Sequence, residues 1–313
     1  MHVLVTGGLG FLGRAVTRDL LAAGHRVAVM SRGRGERNPP QDVAVVTGDI
    51  RDRERVTQIV KEGGYDGVVH LAALTSGRDS FADPLSYFDV NETGTLNLLM
   101  ALDAARTTAA PPALVFASTN IVYGSQHQGA LSEDLPPHPE SPYAASKVAA
   151  ENMVAAYAAT GAIGAITVRP FNIAGAVDGV TDTDRSRIIP NIFRAITGQL
   201  DHVTLNGDGS AVRDFVHVAD VATAIRQGLA ACTPGVCPTI NLGSGAGTSM
   251  ATVVATAEQI TGQRVTVRRQ PPKPEPPNLI ADISHARTLL GWTPAKSKLS
   301  DIVTDAWEAW SRS

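Results

Sequence analysis

Short runs of apolar residues alternate with amphipathic segments over the first half of the chain. Residues 2–6 form a β-branched run that ends at glycines, and beyond them Phe11, Val16 and Leu20 recur at helical spacing up to Gly24. The same alternation predicts further strands at residues 26–30, 43–47, 67–70, 113–118 and 165–169. Strands that are apolar throughout and separated by helices indicate a Rossmann-type, doubly wound α/β fold with a parallel sheet.

The pattern changes after about Pro170. Loops and shorter helices follow, and residues 271–277 are rich in proline. We therefore predict two domains. A large one would comprise residues 1–170 with part of 213–243, and a smaller C-terminal α/β domain would comprise residues 171–212 and 244–313.

Composition narrows the classes of function. The 313 residues include 27 Lys and Arg against 30 Asp and Glu, a net charge of −3, whereas sequence-independent binding to nucleic acid needs a concentrated basic surface. No apolar run is long enough to cross a membrane, and the N-terminus lacks the pattern of a signal peptide. Cys232 and Cys237 have no second pair to complete a zinc site. We expect a cytoplasmic protein without a metal ion.

A glycine-rich turn follows the first strand. Gly7, Gly10 and Gly13 have the spacing G-x-x-G-x-x-G directly before an amphipathic helix. Glycines there permit a tight turn and a close approach of the backbone to a pyrophosphate, while the helix N-terminus at Phe11 and Leu12 offers free N–H groups. This context predicts a dinucleotide cofactor rather than a purely structural turn.

The end of the second strand indicates which dinucleotide binds. An NAD-binding chain usually has Asp or Glu there for the ribose hydroxyls, but this chain has Ser31, Arg32 and Arg34. A hydroxyl and guanidinium groups suit a 2′-phosphate, so NADP is predicted over NAD, although a solvated basic loop would have the same sequence. After the third strand, Asp49 and Ile50 are placed to contact the adenine, or Asp49 caps a loop.

A second motif carries the candidate chemistry. Ser141 and Pro142 begin a helix on which Tyr143 and Lys147 are four residues apart, hence on one face. The pKa of a free phenol is about 10, and a nearby ammonium together with an oxidised nicotinamide favours the phenolate. Tyr143 can then take the proton of a sugar hydroxyl as hydride leaves the same carbon, while Lys147 also holds the nicotinamide ribose. An ordinary surface pair is the alternative, which the dinucleotide turn upstream disfavours.

Several motifs together resemble one known family. They are TGGLGFLG (6–13), HLAAL (70–74), STNIVYG (118–124), SPYAASK (141–147), RPFNIAG (169–175), NGDGSAVRDFVHVAD (206–220), INLGSG (240–245) and ADISHARTLLGW (281–292). They extend over almost the whole chain and are similar to the extended short-chain dehydrogenase/reductases. Among these, the chain looks most like the nucleotide-sugar epimerase/dehydratase family typified by UDP-glucose 4-epimerase. The resemblance implies a nucleoside-diphosphate sugar as substrate.

The resemblance also implies a third catalytic residue. Thr119 would share the hydrogen of the sugar O4 with Tyr143, although a threonine at a strand end can merely cap a turn. In the family's 4,6-dehydratases the next two positions are Asp and Glu, whereas here they are Asn120 and Ile121. Dehydration of that type is therefore not expected.

Further binding residues follow from the same resemblance. Additional cofactor contacts are implied at Leu71, Ala72, Ala73 and Pro170. Substrate contacts are implied at Thr75, Thr119, Asn172, Arg187, Arg213 and Lys273. Arg187 and Arg213 could instead form structural ion pairs, and Lys273 stands where the family has a second diphosphate arginine. Asn206 and Leu279 depart from the residues usual in the pyrimidine and sugar pockets.

The preferred function is C4 epimerisation of a nucleotide sugar through a transient 4-keto sugar. One alternative is an NADPH-dependent reductase of a 4-keto nucleotide sugar or another small carbonyl compound, which Ser31 and Arg32 favour. A non-catalytic cofactor-sensing protein is a third possibility, against which the intact catalytic residues argue. A homodimer is expected, with helices at residues 84–106 and 142–160 as the candidate interface.

Overall fold

The computed structural model describes residues 1–33, 39, 43–106, 110–127, 129–272 and 278–312. The strands are β1 (His2–Thr6), β2 (Arg26–Ser31), β3 (Ala44–Thr47), β4 (Gly67–His70), β5 (Ala113–Ala117), β6 (Ala130–Leu131), β7 (Gly164–Pro170), β8 (Asn172–Ala174), β9 (Ala176–Val177), β10 (Val180–Thr181), β11 (Val203–Asn206), β12 (Val212–His217), β13 (Thr239–Leu242), β14 (Gly247–Ser249), β15 (Val267–Gln270) and β16 (Asn278–Ala281). The helices are α1 (Phe11–Ala22), α2 (Arg53–Gly63), α3 (Pro84–Phe88), α4 (Gly94–Ala104), α5 (Pro142–Ala158), α6 (Ile188–Ile196), α7 (Val218–Ala231), α8 (Met250–Thr261), α9 (Ser284–Leu290) and α10 (Leu299–Trp310).

The main sheet has the strand order β13-β7-β5-β4-β1-β2-β3. Each neighbouring pair in it is parallel. The chain moves from β1 to β2 and β3 on one side and then to β4, β5 and β7 on the other, so the topology reverses next to β1. Doubly wound sheets bind ligands at this reversal point, outside the carboxyl ends of the strands. The order confirms the predicted Rossmann-type α/β fold.

Helices cover both faces of the sheet because its strands are apolar on both sides. On β1, Val3 and Val5 belong to the hydrophobic cluster that contains α1 and α7, whereas Leu4 belongs to the cluster that contains α2, α4 and α5. Successive side chains of a strand point to opposite faces, which explains this division. Complete burial of each such side chain contributes about 1.5–3 kcal/mol.

The region after β7 contains short strands that the sequence pattern did not indicate. β12 pairs with β8, β14 and β16, and β16 pairs with β6, while β11 pairs with β15. Phe193 packs against Trp307 and Trp310 in a third hydrophobic cluster there. Strands of two to six residues offer too few positions for alternation to be recognised. The division into two domains stays a prediction.

The helix predicted at residues 84–106 is divided in the structure. A π-helical turn, Asp89–Thr93, separates α3 from α4. The side chain of Asn91 in this turn accepts a hydrogen bond from the N–H of Leu74 at 2.8 Å and donates to its carbonyl at 3.0 Å and to the hydroxyl of Ser146 at 3.0 Å. The turn therefore ties α5 to the loop after β4. None of the helices described combines the length and apolar composition of a membrane span.

Candidate active site

A cavity of about 790 Å³ lies at the carboxyl ends of the main-sheet strands. It extends from the glycine turn after β1, past the ends of β2 and β3, to the ends of β5 and β7 and the first turns of α5. The cavity thus occupies the point where the strand order reverses, the place where an open α/β sheet binds its ligands.

The glycine turn brings backbone segments closer together than side chains would allow. Gly7 has a φ of 71°, and a Cβ added there would lie 2.8 Å from the backbone nitrogen of Ala72. A Cβ at Gly13 would collide with the carbonyl oxygen of Gly7. Helix α1 starts at Phe11, and its N-cap, Gly10, provides no side-chain hydrogen bond. The first N–H groups of the helix are therefore left for an anion such as a pyrophosphate.

A buried histidine joins the ends of β1 and β4 beneath the turn. The Thr95 hydroxyl donates to the carbonyl of Asn91 at 2.6 Å, so it accepts the Nε2–H of His70 at 3.0 Å. The Nδ1 atom then accepts from the Thr6 hydroxyl at 2.7 Å, and Thr6 in turn accepts from the N–H of Ala72 at 3.2 Å. Burial lowers the pKa of His70 to about 3. The imidazole is therefore neutral and acts as a fixed spacer between the two strand ends.

Helix α5 places a tyrosine at the wall of the cavity. The Ser141 hydroxyl caps the helix by accepting from the N–H of Ala144 at 3.2 Å. Tyr143 is 5% exposed, and Thr119 lies close enough to affect the pKa of its phenol. Burial raises the pKa of Tyr143, while the Thr119 hydrogen bond and the positive charge of Arg187 lower it. Additional positive charge from a bound cofactor would favour the phenolate further.

Lys147 lies one helical turn further along the same face of α5. It is 3% exposed, and its Nζ atom lies 4.3 Å from the centroid of the Phe116 ring. Burial lowers the pKa of Lys147 to about 7, and the carboxylate of Glu151 opposes that effect. A buried ammonium over an aromatic face is stabilised by the ring quadrupole. The amine is thus close to its midpoint of protonation at neutral pH.

Thr119 caps a turn beside Tyr143. Its hydroxyl lowers the pKa of the nearby Tyr143 phenol, and the same oxygen accepts from the N–H of Ile121 at 3.3 Å at the start of the 3₁₀ turn Asn120–Tyr123. The cap fixes the hydroxyl at the end of β5, where it faces the cavity. The next two residues, Asn120 and Ile121, provide neither an acid nor a base.

Most of the predicted site residues line this one cavity. The three proposed catalytic residues, Thr119, Tyr143 and Lys147, all do so. The predicted cofactor residues that line it are Gly7, Gly10, Phe11, Leu12, Gly13, Ser31, Arg32, Asp49, Ile50, Leu71, Ala72, Ala73 and Pro170. The predicted substrate residues that line it are Thr75, Asn172 and Arg187. Arg213 is absent from the lining within the described ranges, and its Nη1 atom donates to the carbonyl of Val212 at 2.8 Å. Lys273 lies outside the described residues.

Sequence reasoning missed two carboxylates at the far end of the cavity. The Nε atom of Arg187 lies 3.4 Å from Asp182 and 3.6 Å from Asp184, and its Nη1 atom donates to the carbonyl of Ile173 at 3.2 Å. Burial raises the pKa of Asp182, whereas the charge of Arg187 lowers it. The two acidic residues followed by two basic residues in DTDRSR (182–187) were the available signal. These contacts fix the Nε and Nη1 atoms of the Arg187 guanidinium.

The sequence and the geometry agree with those of a known family. Residues 3–243 match the model of the NAD dependent epimerase/dehydratase family. The chain belongs to this family. It is 34% identical over 318 residues to the UDP-glucose 4-epimerase of Corynebacterium glutamicum, covering 98% of this chain and 95% of the relative.

Solved structures extend the similarity to the whole fold. A UDP-glucose-4-epimerase from Stenotrophomonas maltophila with bound NAD and formylated UDP-arabinopyranose has a TM-score of 0.92 and 33% identity, covering 100% of this chain and 99% of the other. A UDP-glucose 4-epimerase from Brucella ovis in complex with NAD has a TM-score of 0.91 and 30% identity, covering 98% of both chains. The resemblance stated from the sequence motifs is confirmed.

The prediction of NADP over NAD is wrong. Both of these epimerase structures contain NAD. In the present structure a carboxylate, Asp49, lies close to Arg32, while Arg34 lies outside the described residues. Asp49 binds Arg51 at 2.7 Å, and this hydrogen bond, together with the nearby charge of Arg32, lowers the pKa of Asp49 to about 2. The Ser31 hydroxyl accepts from the N–H of Gly33 at 3.0 Å. A 2′-phosphate would meet the negative charge of Asp49 as well as the positive charge of Arg32.

Proposed function

We propose that this chain is an NAD-dependent nucleotide-sugar C4 epimerase that interconverts UDP-glucose and UDP-galactose. The observation that carries the proposal is the contact between the Tyr143 phenol and the Thr119 hydroxyl, with Lys147 on the same helix face, in a cavity that begins at the glycine turn. The similarity to UDP-glucose 4-epimerases over nearly the whole chain supports UDP-glucose as the substrate.

The residues around the cavity fit a dinucleotide. A Cβ at Gly7 or Gly13 would clash with neighbouring backbone, so only glycine fits at these positions of the turn. The backbone can then approach a pyrophosphate closely, and the N-terminus of α1 would bind it. Asp49 and Ile50 would contact the adenine, and Lys147 the nicotinamide ribose. When bound, NAD accepts a hydride from C4 of the sugar and returns it to the opposite face.

Tyr143 would transfer the proton at the sugar O4. Its phenolate accepts the O4 proton as C4 is oxidised and returns the proton when C4 is reduced. The Thr119 hydroxyl would share the hydrogen bond to the same oxygen, and the positive charge of Arg187 lowers the pKa of the phenol. A charged Lys147 on the same helix face would favour the phenolate further. Because Asn120 and Ile121 offer no acid or base to C5 and C6, the cycle ends in epimerisation rather than loss of water.

The diphosphate requires cations at the other end of the cavity. Asp182 and Asp184 hold the Nε atom of Arg187 and the carbonyl of Ile173 holds its Nη1 atom, so its Nη2 atom would bind the diphosphate. We retain Thr75, Asn172, Arg213 and Lys273 as proposed substrate contacts. Asn172 donates to the carbonyl of Asp214 at 2.9 Å, so it would bind a phosphate oxygen with its remaining N–H.

The proposed function predicts turnover without added cofactor. The purified protein is incubated with a panel of nucleotide sugars that includes UDP-glucose and UDP-galactose, and the anomeric protons are followed by NMR. Wild type should convert each of these two sugars into the other. The Tyr143→Phe variant should lose about 10²–10⁴-fold in rate while retaining bound NAD. The control Tyr157→Phe, at a half-exposed tyrosine bonded to Asp103, should be fully active. Absence of conversion by wild type that contains NAD would contradict the proposal.

We further propose that two copies form a homodimer through the helices at residues 84–106 and 142–160. Large apolar side chains are exposed in and next to the first of these segments: Leu85 is 77% exposed, Phe81 65% and Leu96 43%. Exposed apolar side chains that cluster in one segment of a chain are typical of an interaction surface.

A further inference from the structure

Three ionisable residues share one face of α5. Tyr143, Lys147 and Glu151 follow one another at intervals of four residues, which places them side by side along the helix. Tyr143 and Lys147 line the cavity, whereas Glu151 lies behind Lys147 and is absent from the lining that the structure describes. All three are buried. A buried carboxylate next to a buried amine requires an explanation, because each charge costs free energy when it leaves water.

A bidentate ion pair fixes the carboxylate of Glu151. The Nε and Nη2 atoms of Arg169, on β7, donate to its two oxygens at 3.0 and 2.6 Å. The guanidinium of Arg169 lies 4.8 Å from the ring centroid of Tyr123, and the Tyr123 hydroxyl donates to Asn241 at 2.7 Å. Arg169 is thereby held from two sides, and the Glu151 carboxylate is fixed one helical turn from Lys147.

Few charged groups face Lys147 from the elements packed around it. On its own helix these are Tyr143 and Glu151. Strand β4 contributes His70, which burial keeps neutral, and β5 contributes the uncharged ring of Phe116. Arg169 on β7 is bonded to Glu151. Among the residues that the structure describes, Glu151 is the group whose charge raises the pKa of Lys147 against the effect of burial.

We propose that Glu151 is a positioning residue of the reaction: its carboxylate, oriented by Arg169, keeps the amine of Lys147 charged when the cavity is filled. The need for a charged Lys147 rests on the proposed function, since a neutral amine would neither stabilise the Tyr143 phenolate nor bind the nicotinamide ribose as strongly. The effect of Glu151 on the proton of Lys147 does not depend on that function and can be measured by itself.

Variants of Glu151 and Arg169 change the charge near Lys147 in a known direction. Glu151→Gln removes the negative charge and leaves Arg169 positive, so Lys147 should lose its proton at lower pH. The double variant Glu151→Gln with Arg169→Met removes both charges and leaves no unpaired ion in the core, which protects the fold. The titration midpoint of Lys147 in the double variant should lie between the midpoints in wild type and in Glu151→Gln. Glu133→Gln changes another half-buried carboxylate, bonded to the N–H of Asn241, and is the matched control.

The readout is the titration of Lys147 itself. Protein labelled with ¹³Cε-lysine is titrated by NMR, and the Lys147 signal is assigned by its absence in Lys147→Met. The wild-type midpoint should lie near 7, and Glu151→Gln should lower it by about one pH unit, as expected for loss of a charge within one helical turn. Glu133→Gln should leave it unchanged. The upper pH limb of kcat/KM should move in parallel with these midpoints.

Two results would overturn the proposal. One is a double variant that folds and titrates at Lys147 like wild type, because the Glu151–Arg169 pair would then be purely structural. The other is an equal shift in Glu133→Gln, which would show that the effect is not local. Failure of wild type to epimerise would contradict the proposed function alone and would leave the NMR titration as an independent result.

Discussion

At the scale of single residues, burial opposes the charges that the reaction needs. It raises the pKa of Tyr143 and lowers that of Lys147 to about 7, so neither residue is fully ionised in the protein alone. Thr119 and Arg187 partly offset the effect on the tyrosine, and Glu151 the effect on the lysine. A positive charge from a bound cofactor would favour the Tyr143 phenolate, whereas a charged Lys147 depends on the carboxylate of Glu151.

The low pKa of Lys147 has a consequence for stability that can be measured. Because the folded-state pKa is about 7, below the ordinary value of 10.5, the unfolded chain binds more protons between these limits. The contribution of Lys147 to the free energy of unfolding should therefore rise with pH, by about 1.4 kcal/mol per pH unit within that window. Urea unfolding of wild type and Lys147→Met at several pH values gives this difference. A difference that is independent of pH above 7 would contradict the assignment.

The cofactor prediction failed at the residue scale for a physical reason. Ser31 and Arg32 follow the second strand at the position where residues of this kind bind a 2′-phosphate. The residues next to them in the sequence give no sign of a negative charge that would oppose the phosphate. The opposing carboxylate, Asp49, comes from the next strand: β2 and β3 pair with Ser31 beside Thr47, so the ends of both strands meet. A contact created by strand pairing between distant residues cannot be recognised from one motif.

At the scale of elements, Asp214 holds several strands together. Its carboxylate, from the middle of β12, accepts from the backbone N–H groups of Ser244, Gly245 and Ala281 and from the hydroxyl of Ser244, at 2.6–3.1 Å. This residue therefore fixes the β13–β14 loop and β16 against the strand that carries Arg213.

Replacement of Asp214 should cost much of the stability of this region. Asp214→Asn puts an NH₂ group against backbone N–H donors, so we expect the free energy of unfolding to fall by about 2–4 kcal/mol. Thermal and urea unfolding measure the loss. The control Asp208→Asn, at an exposed turn before β12, should leave the unfolding midpoint unchanged. Equal midpoints for the two variants would show that the Asp214 network is not important.

Elements with strong local signals were predictable, and elements fixed by tertiary contacts were not. β1 and β4 match the predicted residues, β2, β3 and β5 differ from them by one residue at one end, and β7 differs by one residue at each end. The division of the predicted helix at residues 84–106 was missed, since it depends on bonds from Asn91 to Leu74 and Ser146. Tyr143 and Lys147 were predictable because four-residue spacing on a helix guarantees a shared face. Asp182 and Asp184 lie in an irregular segment that has no such rule.

At the scale of the whole molecule, the sheet order determines where ligands can bind. The carboxyl ends of β1, β4, β5 and β7 meet at one edge, which brings the glycine turn, Thr119 and Tyr143 into one cavity from positions more than 100 residues apart. The glycine motif, the catalytic helix and the strand ends could each be recognised locally, and the fold class then implied that they meet.

The proposed homodimer is also a property of the whole molecule. Wild type should have twice the chain mass of 32.8 kDa by light scattering after size exclusion, and Leu85→Glu should have the mass of one chain, since a carboxylate would be buried in the interface. Val236→Glu changes another exposed apolar residue, outside the two helices, and should remain dimeric. A wild type with the mass of a single chain at micromolar concentration would contradict the dimer.

The central claim is that Tyr143 moves the O4 proton while hydride leaves and returns to C4 within the cavity. The most direct test is conversion of UDP-galactose in D₂O by the purified protein, with the C4 position of the product followed by ¹H NMR. We predict UDP-glucose that retains protium at C4, because the hydride never exchanges with solvent. Deuterium at C4 of the product would contradict this mechanism.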